Sequence, residues 1–138
     1  HIAVRFAELK ENYPPGKVPK WYCGNATNSD ERVVIAHNWD ATRRLMWDYV
    51  GVVRNDSRLN MAKENIKLIY DEVENFYKNY ELTSDFIELR NLVLVARIII
   101  ESALDRKESR GLHFTSDYPE LKEESMPSII SKKTLSEF

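Results

Sequence analysis

A chain of 138 residues with Lys+Arg 20 against Asp+Glu 22 has room for one domain with a buried core and no cationic surplus for nucleic acid or an anionic membrane. Its single cysteine, Cys23, cannot close an internal disulfide, which favours a reducing, cytoplasmic location. The longest apolar run, Leu92 to Ile100, is interrupted by Arg97 and is too short to span a bilayer, and no signal peptide is expected.

In chain order, Ala3–Asn12 reads as a helical segment. Residues 13–37 hold three of the five prolines, two of the four glycines and the polar run from Gly24 to Asp30. That is loop composition, with Arg32–Ala36 at most a short extended piece. Three helical patterns follow: Trp39–Arg54 behind Asn38 as N-cap, Ser57–Tyr80 behind Asp56, and Ser84–Lys107 behind Thr83. Connections this short make sequential helices antiparallel. The expected fold is all-α, an antiparallel up-down-up three-helix bundle over 38–120, with an N-terminal helical and loop segment (1–37) and a polar C-terminal tail (121–138). The tail is expected to be ordered only where something holds it. Gly111 is expected as C-cap of the third helix, with Lys107 and Arg110 complementing its carbonyl end.

The second pattern places Leu59, Ala62, Ile66, Ile69, Val73, Phe76 and Tyr80 on one stripe, opposite a polar face. In the third, Phe86, Leu89, Val93, Ala96, Ile100 and Ala103 form the inward stripe, yet Leu94, Val95 and Ile98 fall on the outer side. The first is also apolar on most sides, through Trp39, Leu45, Met46, Trp47, Tyr49, Val50, Val52 and Val53. A three-helix bundle cannot cover both faces of two of its helices. Either the terminal segments fold over them or they dock on another domain. Gly51 falls inside the first pattern, where close helix packing would account for it.

Chemistry-bearing groups are few. The glycines at 16, 24, 51 and 111 make neither a dinucleotide fingerprint nor a phosphate loop, so the chain by itself should hold no flavin. His1, His37 and His113 have no metal-site spacing, and no metal is expected. Arg90 and Arg97 lie one heptad apart, and Arg97 with Glu101 suggests a structural i,i+4 pair. Arg106, Lys107, Arg110 and His113 could bind an anion. Asp105, Glu108, Asp117 and Glu120 stand among them, so a self-satisfied, salt-bridged loop is the competing reading.

Trp39-Asp-Ala-Thr-Arg-Arg-Leu-Met-Trp-Asp-Tyr-Val-Gly-Val-Val-Arg54, Glu88-Leu-Arg-Asn-Leu-Val-Leu-Val-Ala96, Lys107-Glu-Ser-Arg-Gly-Leu-His-Phe114 and Asp117-Tyr-Pro119 together resemble the C-terminal helical domain of L-aspartate oxidases. The Glu108-Ser109-Arg110-Gly111-x-His113 core is similar to that of succinate dehydrogenase and fumarate reductase flavoproteins too. The resemblance implies an FAD enzyme that oxidises L-aspartate to iminoaspartate in NAD synthesis, with oxygen or fumarate as acceptor and quinolinate synthase as consumer of the product. It implies that flavin and substrate are held by preceding flavin and capping domains, and that residues 1–37 lead out of the former. None of the family's catalytic residues maps onto this chain, which alone should be inactive. Its expected role is an interface with the flavin domain through Leu94, Val95, Ile98, Glu108, Ser109, Arg110, Gly111 and His113. The alternatives are the same domain of a succinate dehydrogenase or fumarate reductase, or a free-standing helical interaction module.

Overall fold

The computed structural model describes residues 32–131 together with Lys20 and Ala26. The expected Ala3–Asn12 helix, His1, Cys23, most of the 13–37 loop and the end of the tail after Ser131 lie outside these residues. Helix α1 spans Arg32–Tyr49, strand β1 Val53–Arg54, helix α2 Asp56–Asn79, helix α3 Ser84–Asp105 and strand β2 Phe114–Thr115. Each helix packs against the other two, and the short α1–α2 and α2–α3 connections make neighbours antiparallel.

The core is the one the stripes predict. Leu59, Ala62, Ile66 and Val73 of α2 meet Phe86, Leu89, Val93, Ala96, Ile100 and Ala103 of α3, and Leu45 and Val50 join from the α1 side. Trp39, Met46, Tyr49, Ile69 and Phe76 pack around them half-buried. Phe76 stacks on Tyr80 with ring centroids 4.7 Å apart, closing the α2–α3 end of the bundle. The outward face of α2 is polar as the pattern predicts, except that Met61, Leu68 and Tyr77 are exposed on the helix as well. The apolar groups that the pattern spread round the other two helices resolve unevenly: Trp47 of α1 and Val52 just beyond it are each 83% exposed, Val95 is 51% exposed, and Leu94 and Ile98 are half-buried.

The helix starts depart from the sequence pattern at several residues. Helix α1 begins by Arg32 instead of after Asn38, and Val33–Ala36 is helical. Ile35 packs on the core, so tertiary burial outweighs the β-branched run's preference for extended backbone. Asn38 is no cap but an interior residue, 3% exposed, whose carbonyl accepts the Thr42 hydroxyl at 2.7 Å. The N-cap of α2 is Asn55, whose Oδ1 accepts the Arg58 N–H at 2.7 Å, and Asp56 is already helical. Thr83 caps α3 as expected, accepting the Phe86 N–H at 3.3 Å.

Both glycine assignments also move. The last α1-type bond is Val50 N–H to the Met46 carbonyl at 3.1 Å, after which the chain leaves the helix. Gly51 sits just beyond, where a Cβ would lie 2.8 Å from the Trp47 carbonyl oxygen, so its close approach is to its own preceding turn. Gly111 does not cap α3, which ends on Arg106 in extended conformation. With φ +60 it is the first central residue of the Arg110–His113 turn, whose ends exchange backbone bonds of 2.9 and 3.1 Å. Leu112 has negative φ, so the sign pattern is that of a type II′ hairpin turn, which calls for glycine at that place.

A two-stranded parallel sheet completes the architecture, pairing Val53 with Phe114 and Arg54 with Thr115. It lays the segment after α3 along the α1–α2 junction. The Ser116 N–H extends the pairing to the Arg54 carbonyl at 2.9 Å.

Candidate functional site

The sheet brings the Arg106–Tyr118 segment against Arg54 and Asp56, and a polar network fills the contact. Lys107 Nζ reaches Asp56 Oδ2 at 2.7 Å, and the Tyr118 hydroxyl donates to the same oxygen at 3.1 Å. The Lys107 hydrogen bond, helped by Tyr118 and opposed by burial, holds the Asp56 carboxyl below the usual carboxylate range. Asp117 Oδ2 accepts the Asp56 backbone N–H at 2.7 Å, setting a carboxylate at the positive end of α2.

Glu108 is the hub of the loop and is 3% exposed. Its carboxylate accepts Arg106 Nη1 and Arg110 Nε at 3.0 Å each, and the Lys122 N–H at 3.1 Å. Burial pushes this carboxyl up, but the Lys122 N–H and the two guanidiniums outweigh it, and the group stays ionised below its ordinary range. Ser109 Oγ accepts the Thr115 N–H at 3.0 Å, and its one proton is shared between the Tyr118 carbonyl at 2.9 Å and the Thr115 carbonyl at 3.2 Å. The second guanidinium nitrogens of Arg106 and Arg110 hold the tail: Arg106 donates to the Met126 carbonyl at 3.0 Å, and Arg110 to the Lys122 carbonyl at 2.7 Å. The self-satisfied loop therefore describes Arg106, Lys107 and Arg110 better than an open anion site does. Lys107 and Arg110 serve carboxylates here, so their expected role at the α3 carbonyl end does not hold.

His113 joins the network to the α1 end. Arg54 Nη1 lies 2.8 Å from His113 Nδ1, and His113 Nε2 lies 3.3 Å from the Arg106 carbonyl. A guanidinium only donates, so Nδ1 accepts and the imidazole is neutral with its proton on Nε2. Burial, reinforced by the Arg54 charge, lowers its pKa from the usual imidazole value. Arg54 Nε donates to the Val50 and Gly51 carbonyls at 3.2 Å each, so this cation serves the carbonyl end of α1. Burial lowers the Arg54 pKa as well.

Arg54, Arg106 and His113 flank an open groove of about 330 Å³ floored by Ile98, Ile99 and Ala103. A larger depression of about 570 Å³ lies between α1 and the start of α3, but Asp40, Arg43, Asp85 and Glu88 at its rim are exposed helix-surface groups.

Of the residues singled out in the sequence, the fold gathers Glu108, Ser109, Arg110, Gly111 and His113 into the loop, and brings Ile98 to His113 in the groove. Leu94 and Val95 lie elsewhere on α3. Arg90 bonds Glu74 at 2.7 Å and stacks on Tyr77, and Arg97 lies 3.9 Å from the centre of the Tyr70 ring, both structural roles. Glu101 accepts Lys63 at 2.7 Å. Arg54 and Ile99 were not legible as site residues. Arg54 looked like the end of a helix, and only the long-range strand pairing brings it to His113. Among the described residues no group of His, Cys, Asp and Glu could hold a metal ion, and no helix is long and apolar enough to cross a membrane. What the site offers is cationic recognition at an apolar groove, since both His113 nitrogens and the Ser109 hydroxyl are engaged within the fold.

A bundle closed by a Glu-Ser-Arg-Gly-x-His loop is the C-terminal unit of a flavoprotein class, and comparison with known proteins bears this out. Residues 40–133 match the fumarate reductase flavoprotein C-terminal family, and the chain belongs to it. Among curated relatives, an L-aspartate oxidase of Pseudomonas aeruginosa is 53% identical over 116 residues, covering 84% of this chain and 22% of the relative. That of Yersinia pestis is 48% identical over 82% of this chain and 21% of its own length. A chloroplastic L-aspartate oxidase of Nicotiana tabacum is 44% identical over 62% of this chain and 14% of its own. The chain thus spans about a fifth of the bacterial relatives it matches. The Mycobacterium smegmatis Sdh1 complex shares the fold, with a TM-score of 0.51 at 24% identity over 87% of this chain and 19% of the matched chain.

Proposed function

We propose that this chain is the C-terminal helical domain of an FAD-dependent L-aspartate oxidase, which converts L-aspartate to iminoaspartate for NAD synthesis. The observation that carries the reading is the identity to L-aspartate oxidases of 53% and 48%, which spans more than four-fifths of the chain. In this reading FAD and L-aspartate bind to the rest of the polypeptide, where the flavin supplies the redox chemistry. The domain by itself binds no flavin and is catalytically inert. Two observations support that: the four glycines form no dinucleotide fingerprint, and Arg106, Lys107 and Arg110 of the closing loop are paired with carboxylates within the fold. Its role is to pack on the flavin-binding part, with quinolinate synthase consuming the product in the cytoplasm.

The test is to purify the full-length polypeptide and this domain separately. The full-length protein is expected to be yellow, and its flavin band should bleach anaerobically on addition of L-aspartate. The domain should be colourless. Bleaching by succinate but not L-aspartate would move the protein to the succinate dehydrogenase branch, and a colourless full-length protein would refute the flavoprotein reading.

A further inference from the structure

We propose that a carboxylate side chain from the flavin-binding part of the same polypeptide seats on Arg54, in the groove over Ile98 and Ile99. The inference rests on the proposed function for the existence of that part and goes beyond it by naming the seat and the chemistry. Arg54 is half-buried, and among the described residues it meets only neutral acceptors: the Val50 and Gly51 carbonyls and His113 Nδ1. Arg106 on the same groove already has Glu108 as its counter-ion. A guanidinium partly withdrawn from water without a counter-ion is costly, and a carboxylate is the partner that removes the cost.

The geometry suits a carboxylate in particular. The Nε and Nη1 bonds hold the head group in place, and Nη2 makes no hydrogen bond among the described residues, so guanidinium N–H groups remain to donate to a planar, bidentate acceptor. His113 is then a positioning residue: its unprotonated Nδ1 fixes the Arg54 head group. The floor supplies the desolvated surround such a pair needs, because Ile99 is 39% exposed and Ile98 half-buried beside it. The occupant follows from coverage: about four-fifths of each bacterial relative lies outside the matched region, and that remainder must pack somewhere on this domain.

The experiment uses the full-length protein carrying Ile99→Cys, with modification at position 99 by a charged maleimide followed by peptide mass spectrometry. With Arg54 intact, the introduced thiol should be shielded. Arg54→Met should speed its labelling at least roughly tenfold, and Arg54→Lys, which keeps charge but loses the fork, should fall between. If Arg54→Met does not fold, Arg54→Lys alone decides. Rapid labelling with Arg54 intact shows an open groove and overturns the proposal, as does shielding indifferent to residue 54. Shielding that requires added L-aspartate or succinate would assign the seat to a free dicarboxylate and overturn the proposed occupant. Failure of the flavoprotein reading shows separately as a colourless protein, and the labelling reads the groove either way.

Discussion

The bundle core and the closing loop are held by opposite means. Between α2 and α3, Leu59, Ile66, Leu89, Val93 and Ile100 are almost wholly buried and meet one another through shape alone. Around residues 106–120 the large apolar groups point outward, with Leu112 at 99% and Phe114 at 42% exposure, while the buried groups are Glu108 and Thr115. The core draws on non-directional burial, which sums over many contacts. The loop depends on a few directional bonds among charged groups, each of which leaves an orphaned partner when removed. The first region should therefore respond to volume and the second to charge state and backbone angle.

The largest effect is expected in the core. Leu89→Ala should cost about 2–5 kcal/mol, read as a lower urea midpoint with an unchanged slope. A smaller loss than this would mean that α3 closes the cavity by shifting toward α1. In the loop, Gly111→Ala meets no neighbouring atom within 4 Å but must hold φ +60. It should cost about 1–3 kcal/mol from backbone strain alone, and Gly111→Asn less. Equal loss for the two would point to a contact made by the turn instead.

The pH response separates the regions further. The folded-state pKa of His113 lies below its unfolded value, so the native state binds fewer protons. Its contribution is fully present above the unfolded value of about 6.5 and is lost as pH falls through and below it. Urea midpoints should therefore drop between about pH 7 and 5, and His113→Asn should flatten that slope. Leu89→Ala should leave it unchanged. The smallest effect is expected at Thr115, whose Oγ1 is buried with no hydrogen-bond partner among the described residues. Thr115→Val keeps the shape and removes the orphan, so thermal unfolding should show no loss or a slight gain. A marked loss would show that a bound water satisfies the hydroxyl.

The same contrast explains what was legible in the sequence. The α2 and α3 stripes were readable because helical burial repeats along the chain, and Thr83 because a cap acts within one turn. Arg97 was missed as a buried group, since the ring of Tyr70 that it covers belongs to another helix. The strands could not be read: two residues each carry no period, and Val53 meets Phe114 only after two helices have intervened. Gly111 is legible as a chain-turning residue, but which turn it serves depends on Arg106 ending α3 before the loop starts. The loop's charges were legible as a set. Their pairing was not, since Lys107 and Asp56 are brought together by the fold.

Because β1 precedes α2 and β2 follows α3, their pairing fastens the two ends of a helical hairpin like a clasp. The hairpin forms from neighbouring segments, whereas the clasp joins distant ones and gains its bonds only once the hairpin has brought them near. Clasp closure should then come after the folding barrier, so that loosening it hastens unfolding and leaves the folding rate unaltered. The first excursion from the native state should then be an intact bundle with an open clasp. A protease cutting between Lys107 and Tyr118 would report the population of that opened form, well before the helices come apart.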